Sequence, residues 1–79
     1  MATIADAAQH INRLIASKRE QIARQARGIA EDMTNLAASA EKGYHLSATP
    51  IQHAATYLNT LCGELSALVE ARTAVRAAE

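Results

Sequence analysis

The stretch that decides the architecture of this chain is Lys42-Gly43-Tyr44-His45-Leu46-Ser47-Ala48-Thr49-Pro50, the one run of its 79 residues punctuated like a loop. Gly43 is placed to end a helix, because glycine adopts positive φ without steric penalty. Thr49 can cap a following helix, Pro50 suits a first helical position, and Gln52 can complete a capping box. The loop therefore predicts one helix before it and one after it.

Apolar residues recur at helical spacing on both sides of this loop. After the loop the stripe steps by threes and fours, with Ala55, Cys62 and Val69 beside it, through Ile51, Ala54, Leu58, Leu61, Leu65, Leu68, Arg72 and Val75. Before the loop the stripe, which Lys18 interrupts, comprises Ile4, Ala8, Ile11, Ile15, Ile22, Ala26, Ile29, Met33, Leu36 and Ala40. Its step from Ile22 to Ala26 breaks the heptad phase. We place the helices at about residues 3–42 and 50–77, with a loop at 43–49; Thr3 and Asp6 provide the first start signal.

The composition favours the same fold class. Apolar residues make up 49% of the chain, but 19 of them are alanine, and Phe and Trp are absent. Such a composition suits closely packed helices and disfavours a β-sandwich, which needs β-branched and aromatic residues. We predict an all-α antiparallel hairpin of two long helices, forming a single domain over residues 1–79.

The two predicted helices differ in length, at about 60 Å and 42 Å. If they align at the loop, the second covers the first only back to about Leu14, and Ile4, Ala8 and Ile11 project beyond it. One hairpin also hides only one side of each wide stripe, and small chains bury little surface. We expect dimerisation into a four-helix bundle of coiled-coil type, or docking on a helix of another protein.

Charge and cysteine content narrow the classes of function. Eight Lys and Arg balance eight Asp and Glu, whereas a nucleic-acid-binding domain usually has a basic excess. The single cysteine, Cys62, cannot form an internal disulfide, which is typical of intracellular proteins. The sequence shows neither a secretory signal pattern nor an apolar run as long as a membrane span. We expect a cytoplasmic protein that does not bind membranes.

No motif in the sequence indicates catalysis or a metal site. The three histidines, His10, His45 and His53, lack the ligand spacing of zinc sites. Cys62 lies beside the apolar stripe, so a buried and unreactive thiol is expected there. Phosphate-binding loops and nucleophile motifs are also absent. We predict no enzyme activity, no catalytic residue, no metal and no cofactor.

Basic residues cluster in the first helix. Glu20 is the one acidic residue among Arg13, Lys18, Arg19, Arg24 and Arg27. The four arginines can form a solvated helix face or a nucleic-acid-binding strip. No aromatic side chains alternate with them to stack on bases, and we favour the solvated face.

The outline of a short helical hairpin resembles the plasmid copy-number regulator Rop, the small co-chaperones of type III secretion and several phage-encoded inhibitors. None of their specific motifs is matched residue by residue, so no family is assigned. The alternative function that this outline suggests is a Rop-like dimeric RNA-binding regulator that uses Arg13, Arg19, Arg24 and Arg27.

The main hypothesis is a non-enzymatic protein-interaction module, an adaptor or inhibitor that binds and holds or blocks another protein. A viral or mobile-element origin fits a chain of this kind. We expect a homodimer, with nucleic acid as an improbable ligand. The residues expected at the partner or dimer surface are Ile4, Ile11, Leu14, Ile15, Lys18, Tyr44 and His45.

Overall fold

Two long helices make up the architecture. The structure, a computed structural model, describes residues 3–77, in which α1 runs over Ile4–Glu41 and α2 over Thr49–Ala77. The helices pack against each other as an antiparallel rod with Cα extents of 62 × 16 × 14 Å. The predicted all-α hairpin is confirmed, and each helix end lies within one residue of the predicted bound.

Both ends of α1 are capped as the sequence indicates. Thr3 Oγ1 accepts the Asp6 N–H at 3.1 Å, while the Asp6 carboxylate accepts the Thr3 N–H at 3.2 Å, a reciprocal capping box. Gly43 has φ +75°, and the N–H groups of Gly43 and Tyr44 donate to the carbonyls of Ala40 and Ser39 at 3.1 and 3.2 Å. These two bonds form a Schellman motif, so the predicted role of Gly43 as a cap is confirmed.

The start of α2 differs from the prediction. The Thr49 N–H donates to Ser47 Oγ at 3.3 Å, and the Gln52 N–H donates to the Ala48 carbonyl at 2.9 Å. Thr49 is thus the first helical residue, Pro50 is the second, and the expected capping box between Thr49 and Gln52 does not form. The Ser47 hydroxyl accepts the terminal N–H instead, a role for which serine is well suited.

The contact between the helices is a heptad seam of partly buried residues. On α2 the seam follows the predicted stripe and includes Arg72; on α1 it comprises Ala8, Ile11, Ile15, Lys18, Ile22, Gln25, Ile29, Leu36 and Ser39. Within residues 3–77 only Ile15 and Leu61 are fully buried, each 2% exposed. A hairpin with so small a core leaves most of its apolar surface in contact with solvent.

Two expectations about the seam are wrong. The heptad phase of α1 continues through Gln25, while Ala26 is exposed and Met33 is 56% exposed. At residue 25 the seven-residue spacing of the contact with α2, and not the polarity of the side chain, thus determines which residue lies in the seam. Cys62 is also exposed, because it follows the buried Leu61 and points about 100° away from it around the helix.

The register of the hairpin overturns the expected overhang of α1. Lys18 pairs with Glu64 and Arg72 with Asn12, so the 13 residues of α2 that follow Glu64 extend back to about residue 5 of α1. Ala8 and Ile11 are consequently partly buried, and only Ile4 is exposed. The surplus length of α1 lies at the loop end instead, because residues 44–47 run back beside its last turns before α2 begins.

Candidate interaction surface

One face of the hairpin carries an open apolar groove. The groove has a volume of about 450 Å³ and lies between α1 and α2, in the half of the rod away from the loop, which we call the free-end half. Its lining residues are Leu14, Ser17, Lys18, Gln21, Glu64, Ala67 and Leu68. Leu14 is 41% exposed. We call the side of the hairpin on which this groove opens the groove face.

An ion pair crosses the groove at its loopward edge. Lys18 Nζ lies 2.6 Å from Glu64 Oε2 and 3.5 Å from Gln21 Oε1, and Gln21 Nε2 donates to the Tyr57 hydroxyl at 3.0 Å. The Lys18 and Glu64 side chains are 22% and 49% exposed, so the pair contributes at most about 1 kcal/mol. This contact explains how a lysine is accommodated in the seam. It is the only ion pair within residues 3–77.

The exposed aliphatic side chains of the groove face are concentrated at one end. Residues seven apart share one side of a helix that packs in heptads, so the lining residues identify their neighbours on this face. Toward the free end, these steps lead to Ile4, Ala7, His10, Ile11, Ala71 and Ala74. Toward the loop they lead to Gln25, Gly28, Asp32, His53, Tyr57 and Thr60, of which Tyr57 is 41% exposed. The exposed aliphatic side chains of this face, Ile4 and Leu14, therefore lie in its free-end half, while Tyr57 is the large apolar side chain toward the loop.

The structure brings together four of the seven predicted partner residues. Leu14 and Lys18 line the groove, Ile4 is 44% exposed on the same face, and Ile11 is partly buried between them and α2. Ile15 differs from these, because at 2% exposure it is enclosed by the hairpin itself. Its role in the structure is to hold α1 against α2.

The other two predicted residues, Tyr44 and His45, lie at the opposite end of the rod. With Leu46 they line a second cavity of about 410 Å³, between the loop and the last turns of α1. Tyr44 is 63% exposed and Leu46 is 41% exposed. About 30 Å of helix separates this cavity from Leu14, so the loop residues are not part of the groove.

The arginines of α1 do not form a strip of one sign. Arg13, Arg24 and Arg27 share the outward side of α1, but Glu20 and Glu31 lie among them at helical spacing. Arg19 projects from another side of the helix. All four arginines are exposed. The RNA-binding alternative stays a prediction, with a mixed-charge surface as its only support.

The described residues contain neither a metal-binding cluster nor a membrane-spanning helix. Nowhere in residues 3–77 do three His, Cys, Asp or Glu side chains lie close enough together to hold a metal ion. Neither helix, over that same range, has an apolar stretch of the length required to cross a bilayer.

Four residues that line the groove were not identified from the sequence, namely Ser17, Gln21, Glu64 and Ala67, and neither was Tyr57, which accepts a hydrogen bond from Gln21. Their signal is the seven-residue spacing of Leu14 with Gln21 on α1 and of Tyr57 with Glu64 on α2. This spacing places each pair beside the seam, but it becomes informative only when the register between the helices is known. Lys18, which interrupts the predicted stripe, pairs with Glu64, 46 residues away in the same chain.

Comparisons with protein-family models, with curated proteins and with solved structures find no match to this chain.

Proposed function

We propose that this chain is a non-enzymatic protein-interaction module, a small adaptor or inhibitor. It docks its groove face on helices of another polypeptide and thereby holds or blocks that polypeptide. The observation that carries the proposal is the open apolar groove, in which Leu14 is 41% exposed. An apolar groove between two helices is a common site for an amphipathic helix.

The total surface of the hairpin supports docking. Its solvent-accessible area is 5,884 Å², whereas a folded monomer of 8.4 kDa has about 4,600 Å² by the usual size scaling. The excess of roughly 1,300 Å² is larger than the ~800 Å² that each partner contributes to an interface of standard size. The elongated rod therefore exposes enough surface for an interface of standard size.

The groove face also specifies the form of the docked segment. The apolar part runs from Ile4 to the Lys18–Glu64 pair, a span of about 21 Å along the helix axis. A helix of roughly 15 residues covers this span, and its apolar side chains at i, i+3, i+4 and i+7 would enter the groove. The ion pair marks the point where the apolar contact ends.

The test compares Leu14→Asp with the control Met33→Asp. Both residues are exposed on α1, but Met33 lies away from the groove face. The parent and both variants are immobilised and exposed to an extract of the native host, and retained proteins are identified by mass spectrometry. Circular dichroism verifies that each variant is helical. A fluorescent RNA is titrated against each protein over a range of salt concentrations.

The proposal expects a discrete protein that the parent and Met33→Asp retain and Leu14→Asp loses by at least about tenfold. Identical retention by all three proteins, or retention of no protein, would overturn it. So would RNA binding that weakens steeply with salt and is unchanged by Leu14→Asp, because that result favours the RNA-binding alternative.

A further inference from the structure

We infer that, when no target is bound, the groove face is covered by a second copy of this chain, related by a two-fold axis parallel to the rod. This inference rests on the proposed use of the groove face and adds the identity and orientation of the occupant. In the resulting four-helix bundle, α1 of each copy lies over α2 of the other.

The concentration of exposed aliphatic side chains in the free-end half of the groove face favours this axis. A two-fold axis parallel to the rod keeps every residue at its own level, so the free-end half of one copy covers the free-end half of the other. A two-fold axis across the middle of the rod places Leu14 and Leu68 of one copy against the polar half of the other, near Gln25 and Asp32. Burial of apolar surface thus favours the parallel axis.

The charges on the groove face select the same axis. Lys18 and Glu64 lie at one level on α1 and α2, so the parallel axis places Lys18 of each copy over Glu64 of the other. An axis that crosses the rod at this level places Lys18 over Lys18 and Glu64 over Glu64. Only the first arrangement gives alternating charges, and like charges in contact disfavour the second.

Both charged groups retain the capacity for a second contact. The ammonium of Lys18 has three donors, of which Glu64 and Gln21 accept two. Glu64 is 49% exposed, and no hydrogen bond within residues 3–77 reaches its Oε1. A second copy can therefore extend the pair to four alternating charges without breaking the contact already present.

The excess surface matches what a stable dimer requires. Covering the excess of roughly 1,300 Å² on each copy buries about 2,600 Å² in total, which lies within the range of obligate homodimers. The parallel axis also places both loops, with exposed Tyr44 and Leu46, at the same end of the dimer. Since a target helix and a second copy compete for one groove, target binding is expected to dissociate the dimer.

The first experiment is a charge exchange followed by sedimentation equilibrium. Lys18→Glu and Glu64→Lys are prepared separately, and each places like charges both within the hairpin and across the dimer. Each variant alone is expected to dimerise at least about tenfold more weakly than the parent. In an equal mixture the heterodimer regains opposite charges across the interface, although each hairpin still has like charges within itself. We expect the mixture to associate at least about tenfold more tightly than either variant alone.

A second measurement fixes the orientation. Cys62→Ser is combined with Lys42→Cys at the loop end, and spin labels on the two copies report their separation. The parallel axis predicts roughly 20–30 Å, because only helix spacings separate the labels. An axis across the rod predicts a separation near the 62 Å length of the molecule.

The outcomes separate this inference from the proposed function. A parent that stays monomeric at every concentration, a mixture no tighter than its components, or label distances near the length of the rod would each overturn the dimer. If the parent is monomeric but captures a host protein that Leu14→Asp loses, the proposed function stands and the dimer fails. A dimer that Leu14→Asp leaves unchanged forms through another surface and overturns this inference, whereas the proposed function is decided by whether Leu14→Asp loses the captured host protein.

Discussion

Leu61→Ala is expected to remove much of the stability of this hairpin. Leu61 and Ile15 are the only side chains buried to 2% exposure within residues 3–77, and Leu61 lies near the centre of the seam. Replacing a buried leucine by alanine costs about 2–5 kcal/mol, from lost transfer energy and from the cavity left behind. By length, a chain of 79 residues has a free energy of unfolding of about 4–12 kcal/mol. One substitution therefore removes a large fraction of the total.

Leu14→Ala is the matched comparison. Leu14 is the same residue type in the same half of the rod, but it is 41% exposed. Burying a whole leucine side chain is worth about 1.5–3 kcal/mol, so truncating this partly exposed one is expected to cost roughly 1 kcal/mol. The difference between the two variants measures how far the seam, as opposed to the groove face, stabilises the folded hairpin.

Thermal and urea unfolding, followed by circular dichroism, measure both variants. For a domain of this size each 1 kcal/mol lowers Tm by about 4–8 °C, so Leu61→Ala is expected to lower it by at least about 8 °C. The measurements are made over a range of protein concentrations, because dimerisation makes Tm depend on concentration. If Leu61→Ala loses no more stability than Leu14→Ala, the assignment of the core to Ile15 and Leu61 is refuted.

Three further predictions follow from the helix ends and the ion pair. Thr3→Ala is expected to lower the free energy of unfolding by about 1 kcal/mol in urea titrations, since it removes a cap, whereas Thr3→Ser retains the hydroxyl and most of the stability. Gly43→Ala is expected to destabilise the hairpin by roughly 1 kcal/mol, because φ at this position is +75°. Gly28→Ala, whose new Cβ meets no atom within 4 Å, is expected to stabilise it by up to ~1 kcal/mol. Equal effects of the two substitutions would contradict the role of Gly43 as a helix cap. Lys18→Met is expected to change monomer stability by less than about 1 kcal/mol and to reduce the salt dependence of unfolding; an unchanged salt dependence would argue against the ion pair in solution.

The features that the sequence predicted are those set by local chemistry. Gly43 ends α1 because a residue with positive φ is required there, and Thr3 with Asp6 forms a capping box within one helical turn. The sequence predicted all the seam residues of α2, because the stripe keeps a strict heptad spacing. Each of these signals depends on residues a few positions apart, which explains why the helix ends were located to within one residue.

The features that were missed depend on contacts distant in sequence. After Ile22, the apolar pattern of α1 predicted Ala26 and Met33 as seam residues instead of Gln25 and Asp32. Residues of α1 remain in contact with α2 only if they keep the seven-residue spacing, which continues through Gln25. Polarity therefore misidentified the seam where packing geometry placed a polar residue in it. The contact of Glu64 with Lys18 was missed for a similar reason, since it depends on the register of the hairpin.

That register follows from the path of the loop. Had α2 started level with the end of α1, the free end of α1 would have projected alone and offered a single helix to a partner. Because residues 44–47 run back beside α1, the shorter α2 reaches the free end, and both helices there flank the groove. The apolar surface left to a partner is consequently the side of a two-helix rod, with Leu14 on one wall and Leu68 on the other. A surface of this shape accommodates another helix or helix pair lengthwise, which is why the groove face favours a bundle over an end-to-end contact.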